Sequence, residues 1–142
     1  LVLILDGIKP MLALVLISYF FNEYYQNFKF LYFFISIVGH VFPIWLMFKG
    51  GKGVACFFGG FLIISPIPTL ISMAVWMVTV KITKISSLGA LLSIFLLTSY
   101  QIVSNYGTLN KGTIFAIMLL IFWKHNENIK RLIECKENKI NL

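Results

Sequence analysis

Apolar residues recur along the whole chain in runs that are separated by short polar connections. Six of these runs predict membrane-spanning helices, at residues 10–21, 30–47, 53–65, 67–82, 86–103 and 112–123. Three runs are shorter than the roughly 20 residues that a helix needs to cross the hydrocarbon core. The pattern nevertheless continues to the end of the last run. It predicts an all-α, polytopic membrane helix bundle of about six spans over residues 1–123, with a polar tail at 124–142.

The apolar stretch 53–82 is predicted to form two spans rather than one. Pro66 and Pro68 lie in its middle, and a proline inside a helix removes a hydrogen bond and clashes with the preceding turn. With a turn at this point, ten basic residues fall on one side of the bundle, and only Lys29 and Lys111 fall on the other. Cytoplasmic loops contain the excess of Lys and Arg. The ten-residue side is therefore expected to face the cytoplasm.

Composition excludes an ordinary soluble domain. The chain is 59% hydrophobic and 12% charged, whereas soluble domains have about 25% charged residues. The net charge is +7, but the basic residues lie in the connections and form no single stripe, so nucleic acid is not an expected partner. Cys56 and Cys135 are expected to be free thiols. Since His, Cys and carboxylate residues nowhere show metal-ligand spacing, no metal site is predicted.

Four connections bring small polar sets to the predicted cytoplasmic side. Glycines let backbone N–H groups approach an anion, lysine adds a point charge, and arginine adds a bidentate fork. Together they predict a site for a phosphorylated small molecule at the membrane surface. The sets are Asp6 with Lys9; His40 with Lys49, Gly50, Gly51, Lys52 and Gly53; Ser86 with Ser87; and His125 with Asn128 and Arg131.

Each set also has an ordinary structural interpretation. The glycine–lysine segment 49–53 could be a cytoplasmic turn with snorkelling lysines, and His40 could be a histidine satisfied inside the bundle. Ser86 and Ser87 could cap a helix. His125 and Arg131 could belong to a solvated tail, and Asp6 with Lys9 could be a simple ion pair. Their convergence on one face favours the functional interpretation.

The motifs resemble those of the bacterial acyl-phosphate-dependent glycerol-3-phosphate acyltransferases, which are integral membrane enzymes. Residues 39–55, GHVFPIWLMFKGGKGVA, are similar to the family motif G-H-x-F-P-x-x-x-x-F-K-G-G-K-G-V-A. Residues 86–88 resemble S-S-L, residues 6–9 resemble D-x-x-K-G, and residues 125–137 resemble H-x-x-N-I-x-R-L-x-x-G-x-E. Three positions differ: Pro10 and Cys135 replace motif glycines, and Cys56 replaces a threonine.

The resemblance implies transfer of an acyl group from acyl phosphate to the 1-hydroxyl of glycerol 3-phosphate. The products would be 1-acylglycerol 3-phosphate (lysophosphatidic acid) and phosphate, in an early step of phospholipid synthesis. The implied location is the bacterial plasma (inner) membrane, with the active face and the C-terminus in the cytoplasm. The implied partners are acyl phosphate, glycerol 3-phosphate and the lipid bilayer, without a cofactor.

The resemblance also implies roles for the polar residues. The implied catalytic residues are Lys52, Ser86, Ser87, His125 and Asn128. The implied substrate-binding residues are Lys49, Gly50, Gly51, Gly53, His40, Arg131, Glu137, Asp6 and Lys9.

Two alternatives remain open at this point. The family has a further N-terminal span and a Gly/Ser/Asn-rich loop ending in arginine, which helps to hold the substrate phosphate. That loop is not found in these 142 residues, so one alternative is an inactive, N-terminally truncated remnant. The other is a small membrane transporter of a phosphorylated metabolite, which would need polar residues near the middle of the membrane.

Overall fold

The computed structural model describes residues 2–48, 50–104 and 107–140. Over these residues the chain is all-α, as predicted. Its helices are α1 (Val2–Phe20), α2 (Asn22–Val41), α3 (Val54–Ile64), α4 (Pro66–Thr83), α5 (Ser86–Ser104), α6 (Thr108–Lys124) and α7 (Asn126–Ile133), and a 3-10 turn lies at Ile44–Leu46.

Helices α1 to α6 correspond one by one to the six predicted runs. Four of them, α1, α2, α4 and α5, are long and apolar enough to cross a membrane among the described residues. Helix α3 has 11 residues and rises only about 16 Å, against about 30 Å of hydrocarbon. The predicted bundle is therefore confirmed, and the helix lengths refine the number of full spans.

Two predicted boundaries near prolines are wrong. Helix α1 begins at Val2, not at residue 10, because Pro10 lies inside the helix. Pro10 has no N–H for the Asp6 carbonyl four residues earlier, and the Cys56 thiol donates to that carbonyl instead, at 3.1 Å. Helix α2 spans 22–41 rather than 30–47. It ends two residues before Pro43, as expected where a proline disfavours helical geometry in the preceding residue.

The predicted turn between α3 and α4 is confirmed. Ser65 lies between the two helices, and Pro66 is the first residue of α4, a position that needs no N–H donor. The Ser65 carbonyl accepts hydrogen bonds from the Thr69 amide at 3.2 Å and from the Thr69 hydroxyl at 2.7 Å. These two hydrogen bonds from Thr69 stabilise the break at Ser65 from the α4 side.

The six helices close into a ring in the order α1, α2, α6, α5, α4 and α3, and α3 also contacts α2. Aromatic side chains fill the space between α2 and α3. The Phe33 and Phe61 rings meet edge to face at 5.0 Å, and Phe57 lies 4.8 Å from Phe61. Because all three are fully buried, they form an apolar core that joins α2 to α3.

Helices α1 and α3 approach each other at two glycines. A Cβ on Gly59 would overlap the carbonyl of Gly7, and a Cβ on Gly7 would lie 3.3 Å from the Ala55 carbonyl. Close backbone contact needs residues without side chains. This contact holds the first turns of α1 beside the start of α3.

Candidate active site at the end of the bundle

The glycine segment Gly50–Gly53 leads from the loop after α2 into α3. The Gly50 amide donates to the Val41 carbonyl at 3.2 Å, and a Cβ on Gly50 would overlap the His40 carbonyl. Gly53 has a φ of 83° immediately before α3, in the left-handed region that favours glycine. Lys49, a predicted substrate-binding residue, lies outside the described residues.

Lys52 connects the glycine segment to α7. Its Nζ donates to Asn128 Oδ1 at 2.6 Å, although 76 residues separate the two in sequence. Asn128 is buried, with 6% of its surface exposed, and its Nδ2 donates to Glu137 Oε1 at 2.6 Å. The amide of Asn128 therefore joins a cation to a carboxylate.

Glu137 gathers the polar groups of the tail and of α5. Its Oε1 also accepts a hydrogen bond from Ser87 Oγ at 2.7 Å, and its Oε2 accepts one from Arg131 Nε at 2.7 Å. Burial would raise the pKa of the Glu137 carboxyl, but the hydrogen bonds from Asn128, Arg131 and Ser87 outweigh it and lower that pKa to about 2. Glu137 is thus a carboxylate at neutral pH.

The chain reverses after α7 to bring Glu137 back. Cys135 has a φ of 56°, and the Lys136 amide donates to the Arg131 carbonyl at 2.8 Å. This is the left-handed ending in which glycine is most common, which explains why the family motif has glycine at this position. Farther along, the Ile140 amide donates to the Lys84 carbonyl at 2.8 Å, so the tail is also attached to the end of α4.

His125 lies buried between α6 and α7, with 3% of its surface exposed. Its Nδ1 lies 2.8 Å from the carbonyl of Ile121. Burial lowers the pKa of His125, the bond to Ile121 raises it, and the charge of Lys52 lowers it, with a net decrease. Because a carbonyl only accepts, Nδ1 holds the proton in the neutral ring, and Nε2 is the acceptor.

A second polar group lies on the other side of the glycine segment. Asp6 Oδ1 is 2.8 Å from Lys9 Nζ and 3.7 Å from His40 Nδ1. These three side chains line an open cavity of about 470 Å³, together with Gly50 and Gly51. The segment thus separates the group of Asp6, Lys9 and His40 from the network of Lys52, Asn128, Ser87 and Glu137.

Comparison with known proteins identifies the family. A family model described as glycerol-3-phosphate acyltransferase matches residues 1–135. A glycerol-3-phosphate acyltransferase of Ehrlichia chaffeensis is 35% identical over 141 residues, which cover 99% of this chain and 70% of the relative. One of Ruthia magnifica is 39% identical over 140 residues, or 98% of this chain and 70% of the relative. The chain belongs to the glycerol-3-phosphate acyltransferase family.

Two crystal structures of one family member have the same fold. They show PlsY, an integral membrane glycerol 3-phosphate acyltransferase, in a glycerol 3-phosphate form and a lysophosphatidic acid form. The TM-scores are 0.85 and 0.84, each at 28% identity over 99% of this chain, and the matches cover 70% and 71% of the PlsY chains. The resemblance seen in the motifs is thereby confirmed, and the protein is a multi-pass membrane protein.

The structure of this acyltransferase family member places the predicted polar side chains in two groups and leaves Ser86 outside both. Lys52, Ser87, Asn128, Arg131 and Glu137 form one hydrogen-bonded network, and buried His125 lies three residues before Asn128. Asp6, Lys9 and His40 form the second group. Ser86 is the first residue of α5, and its carbonyl accepts from Trp76 Nε1 at 3.3 Å, whereas Ser87 donates to Glu137.

Sequence reasoning missed the role of Cys56 at the edge of this site. Cys56 was expected to be a free thiol and was noted as a departure from the family motif, but no contact was predicted for it, whereas in the structure its thiol donates to the carbonyl of Asp6. The available signal was Pro10, four residues after Asp6 within a helical run, because a proline at that spacing frees a carbonyl. In the part of the chain that the structure describes, no group of three His, Cys, Asp or Glu residues could hold a metal ion.

Proposed function

We propose that this protein transfers an acyl group from acyl phosphate to the 1-hydroxyl of glycerol 3-phosphate. The products are 1-acylglycerol 3-phosphate and phosphate. Family membership supports the reaction class, and PlsY has been crystallised in glycerol 3-phosphate and lysophosphatidic acid forms. The observation that supports the proposal most directly is the bond from Lys52 to Asn128, because it brings the glycine segment and α7 together at one end of the bundle.

The reaction proceeds by direct attack of the glycerol hydroxyl oxygen on the acyl carbon. A C–O bond forms to the hydroxyl oxygen, the bond between the acyl carbon and the phosphate oxygen breaks, and a phosphate group takes the hydroxyl proton. Ser87 donates to Glu137 rather than to a histidine, which does not suit a serine nucleophile. The residues therefore act by positioning and by charge stabilisation.

The charges of Lys52 and Arg131 suit different roles. Lys52 Nζ bonds to a neutral amide, so its charge remains available for a phosphate. Arg131 is paired with Glu137 at 2.7 Å, so it shapes the rim by holding the tail. The Gly50 amide already donates to Val41, so the amides of Gly51 and Gly53 donate to phosphate, with Lys49 assisting. Ser86 and Ser87 contact the acyl phosphate or glycerol group, and His125 with Asn128 positions glycerol phosphate.

The active face lies on the cytoplasmic side of a bacterial plasma membrane. The positive-inside rule supports this orientation, since Lys52, Lys84, Lys124 and Arg131 all lie at the end of the bundle where the polar network is found. Residues 1–123 form the membrane unit, and 124–142 form a tail that belongs to the same domain.

A transporter is not favoured by the arrangement of the described residues. The charged groups of the network lie at one end of the bundle, and the interior between α2 and α3 is filled by Phe30, Phe33, Phe57 and Phe61. A transport path needs polar groups near the middle of the membrane. Packed aromatic rings there suit a scaffold that holds a surface site.

The test uses membranes from a host that lacks its own enzyme of this kind. The chain is supplied with labelled glycerol 3-phosphate and either palmitoyl phosphate or palmitoyl-CoA. We expect label in lysophosphatidic acid with palmitoyl phosphate alone. Product formed from palmitoyl-CoA would contradict the proposed donor. Lack of product from chain shown to be inserted would contradict the proposed activity and favour the remnant.

A further inference from the structure

His40 lies between a carboxylate of α1 and the backbone of the glycine segment. On one side its Nδ1 is 3.7 Å from Asp6 Oδ1. On the other side a Cβ placed on Gly51 would lie 2.5 Å from its Nε2 and 3.2 Å from its Cε1. The imidazole is 12% exposed. The ring thus fills the space between α1 and Gly51.

The same histidine lies where the loop after α2 closes. The Gly50 amide donates to the carbonyl of Val41, next to His40, and a Cβ on Gly50 would overlap the His40 carbonyl. The loop after α2 therefore returns at Gly50 to the last turn of that helix. Lys52 lies two residues after Gly50, where the loop closes. The position of His40 therefore sets the direction in which the Lys52 side chain extends.

Asp6 is better suited to orienting His40 than to direct contact with the substrate. A carboxylate repels a phosphate, and Asp6 already has Lys9 at 2.8 Å. At 3.7 Å the Asp6 carboxylate is beyond hydrogen-bond distance of His40 Nδ1, but its charge favours the ring orientation that turns Nδ1 toward it. The Asp6 side chain can therefore act on the glycine segment through His40.

We propose that His40 is a positioning residue that Asp6 orients. The imidazole holds the Gly50–Gly51 backbone so that Lys52 reaches Asn128 and the substrate phosphate. The inference rests on the proposed acyltransferase function for its kinetic consequence, but the placement of Lys52 can be measured without any reaction. Neither Asp6 nor His40 touches the reacting atoms.

The kinetic test is a set of double-mutant cycles on kcat/KM for glycerol 3-phosphate. We expect Asp6→Asn and His40→Asn each to lower kcat/KM about tenfold, chiefly through KM, since small misplacement of a binding group is costly. The kcat/KM of the double variant Asp6→Asn/His40→Asn should be no lower than that of His40→Asn alone. In a Lys52→Ala background, His40→Asn should lower kcat/KM less than about twofold, because the effects of residues that act through one another are not additive. Fully multiplicative losses in both cycles would overturn the proposal.

Two further variants serve as controls. Glu23→Gln makes the same acid-to-amide change at an exposed residue in the first turn of α2, at the far end of the bundle. This variant should leave kcat/KM unchanged. His40→Gln places an amide nitrogen near the former Nε2, so it should keep more activity than His40→Asn. If His40→Asn fails to insert, the cycles are run with His40→Gln and Asp6→Asn. Equal kinetics for all three variants and wild type would also overturn the proposal.

A second measurement separates this inference from the proposed function. Amine acylation followed by mass spectrometry gives the reactivity of Lys52 relative to that of Lys111, an exposed lysine at the other end. We expect Lys52 to react several-fold faster in Asp6→Asn and His40→Asn than in wild type or Glu23→Gln, because Lys52 no longer reaches Asn128. Unchanged Lys52 reactivity overturns the positioning role. An inactive wild type with the expected reactivity pattern overturns only the acyltransferase function.

Discussion

At the scale of single residues, Lys52 shows how a cation can be held and still remain available to a ligand. Its partner is the neutral amide of Asn128 at 2.6 Å. The amide fixes the ammonium group without cancelling its charge. A carboxylate in the same place would have formed an ion pair and left less charge for a phosphate.

Replacing Lys52 with alanine should therefore reduce turnover severely. Loss of one preorganised charge contact typically costs about 2.7–4 kcal/mol of barrier, so we expect turnover in the acyl phosphate assay to fall at least tens-fold. The matched control is Lys111→Ala, which removes an exposed lysine from the other end of α6. Near-normal turnover in Lys52→Ala would remove this residue from the site.

Glu137 is the residue on which the arrangement of the tail depends most. Glu137→Gln keeps the shape of the side chain but removes the charge that faces Arg131, and leaving such groups poorly paired costs about 1–3 kcal/mol. We expect a lower melting temperature and faster tryptic release of the tail. Glu134→Gln, an exposed change three residues earlier, should alter neither. Equal tail protection in both variants would contradict the role of Glu137.

The same variant has a defined pH dependence. The folded pKa of Glu137 is about 2, below the ordinary value of 4.5, so its stabilising contribution is complete above about pH 4.5 and is lost as pH falls toward 2. The melting temperatures of wild type and Glu137→Gln should therefore converge as pH is lowered from about 6 to about 3. A constant difference over that range would show that the charge is not responsible.

At the scale of helices, Pro10 and Cys56 form a compensating pair across α1 and α3. The proline deprives the Asp6 carbonyl of its helical donor, and the fully buried thiol of Cys56 replaces that donor at 3.1 Å. Both residues are departures from the family motifs. Their contact allows α1 to continue unbroken through a proline.

A double-mutant cycle should reveal this pairing. Cys56→Ala removes the donor and should lower stability by about 1 kcal/mol, whereas Cys56→Ser keeps a donor and should cost less. In a Pro10→Ala background, where the helix supplies its own N–H, Cys56→Ala should cost clearly less than in wild type. Thermal unfolding in detergent measures all four stabilities, and equal costs in the two backgrounds would contradict the pairing.

The elements were predictable where a local rule decided them and not where a distant partner did. The break at Pro66 and the helix order follow from proline chemistry and from the apolar runs. The continuation of α1 through Pro10 depends on a thiol 46 residues later in the chain. The return of the tail depends on a left-handed Cys135 and on Glu137 finding Ser87. Motif spacing identified these residues as candidates, but only the folded chain shows which of them are in contact.

At the scale of the whole molecule, the ring of six helices gathers the site at a single end. Residues 52, 87, 128 and 137 come from three separate connections and meet because the starts of α3 and α5 and the end of α6 lie at the same end of the bundle. The excess of basic residues at that end predicts its orientation in the membrane. The two natural cysteines allow that orientation to be tested directly.

Cys135 is exposed on the tail, and Cys56 is buried. We expect a membrane-impermeant maleimide to modify one cysteine in inverted vesicles and neither in intact spheroplasts, because the proposed topology places the tail in the cytoplasm. Cys56 should react only after denaturation in SDS. Cys135→Ser should abolish the signal from inverted vesicles. Modification of Cys135 in intact spheroplasts would reverse the proposed topology.

Helices α3 and α4 form a hairpin whose two arms differ in length. They share the break at Ser65, and α3 has 11 residues against 18 in α4. The difference, 18 − 11 = 7 residues, corresponds to about 10 Å of helical rise. Because both arms start from Ser65, we expect the glycine segment before α3 to lie about that distance deeper in the bundle than the end of α4. A water-soluble anion must then descend to the glycine segment, while the polar end of a lipid lies nearer that depth, so two molecules of opposite solubility can meet there.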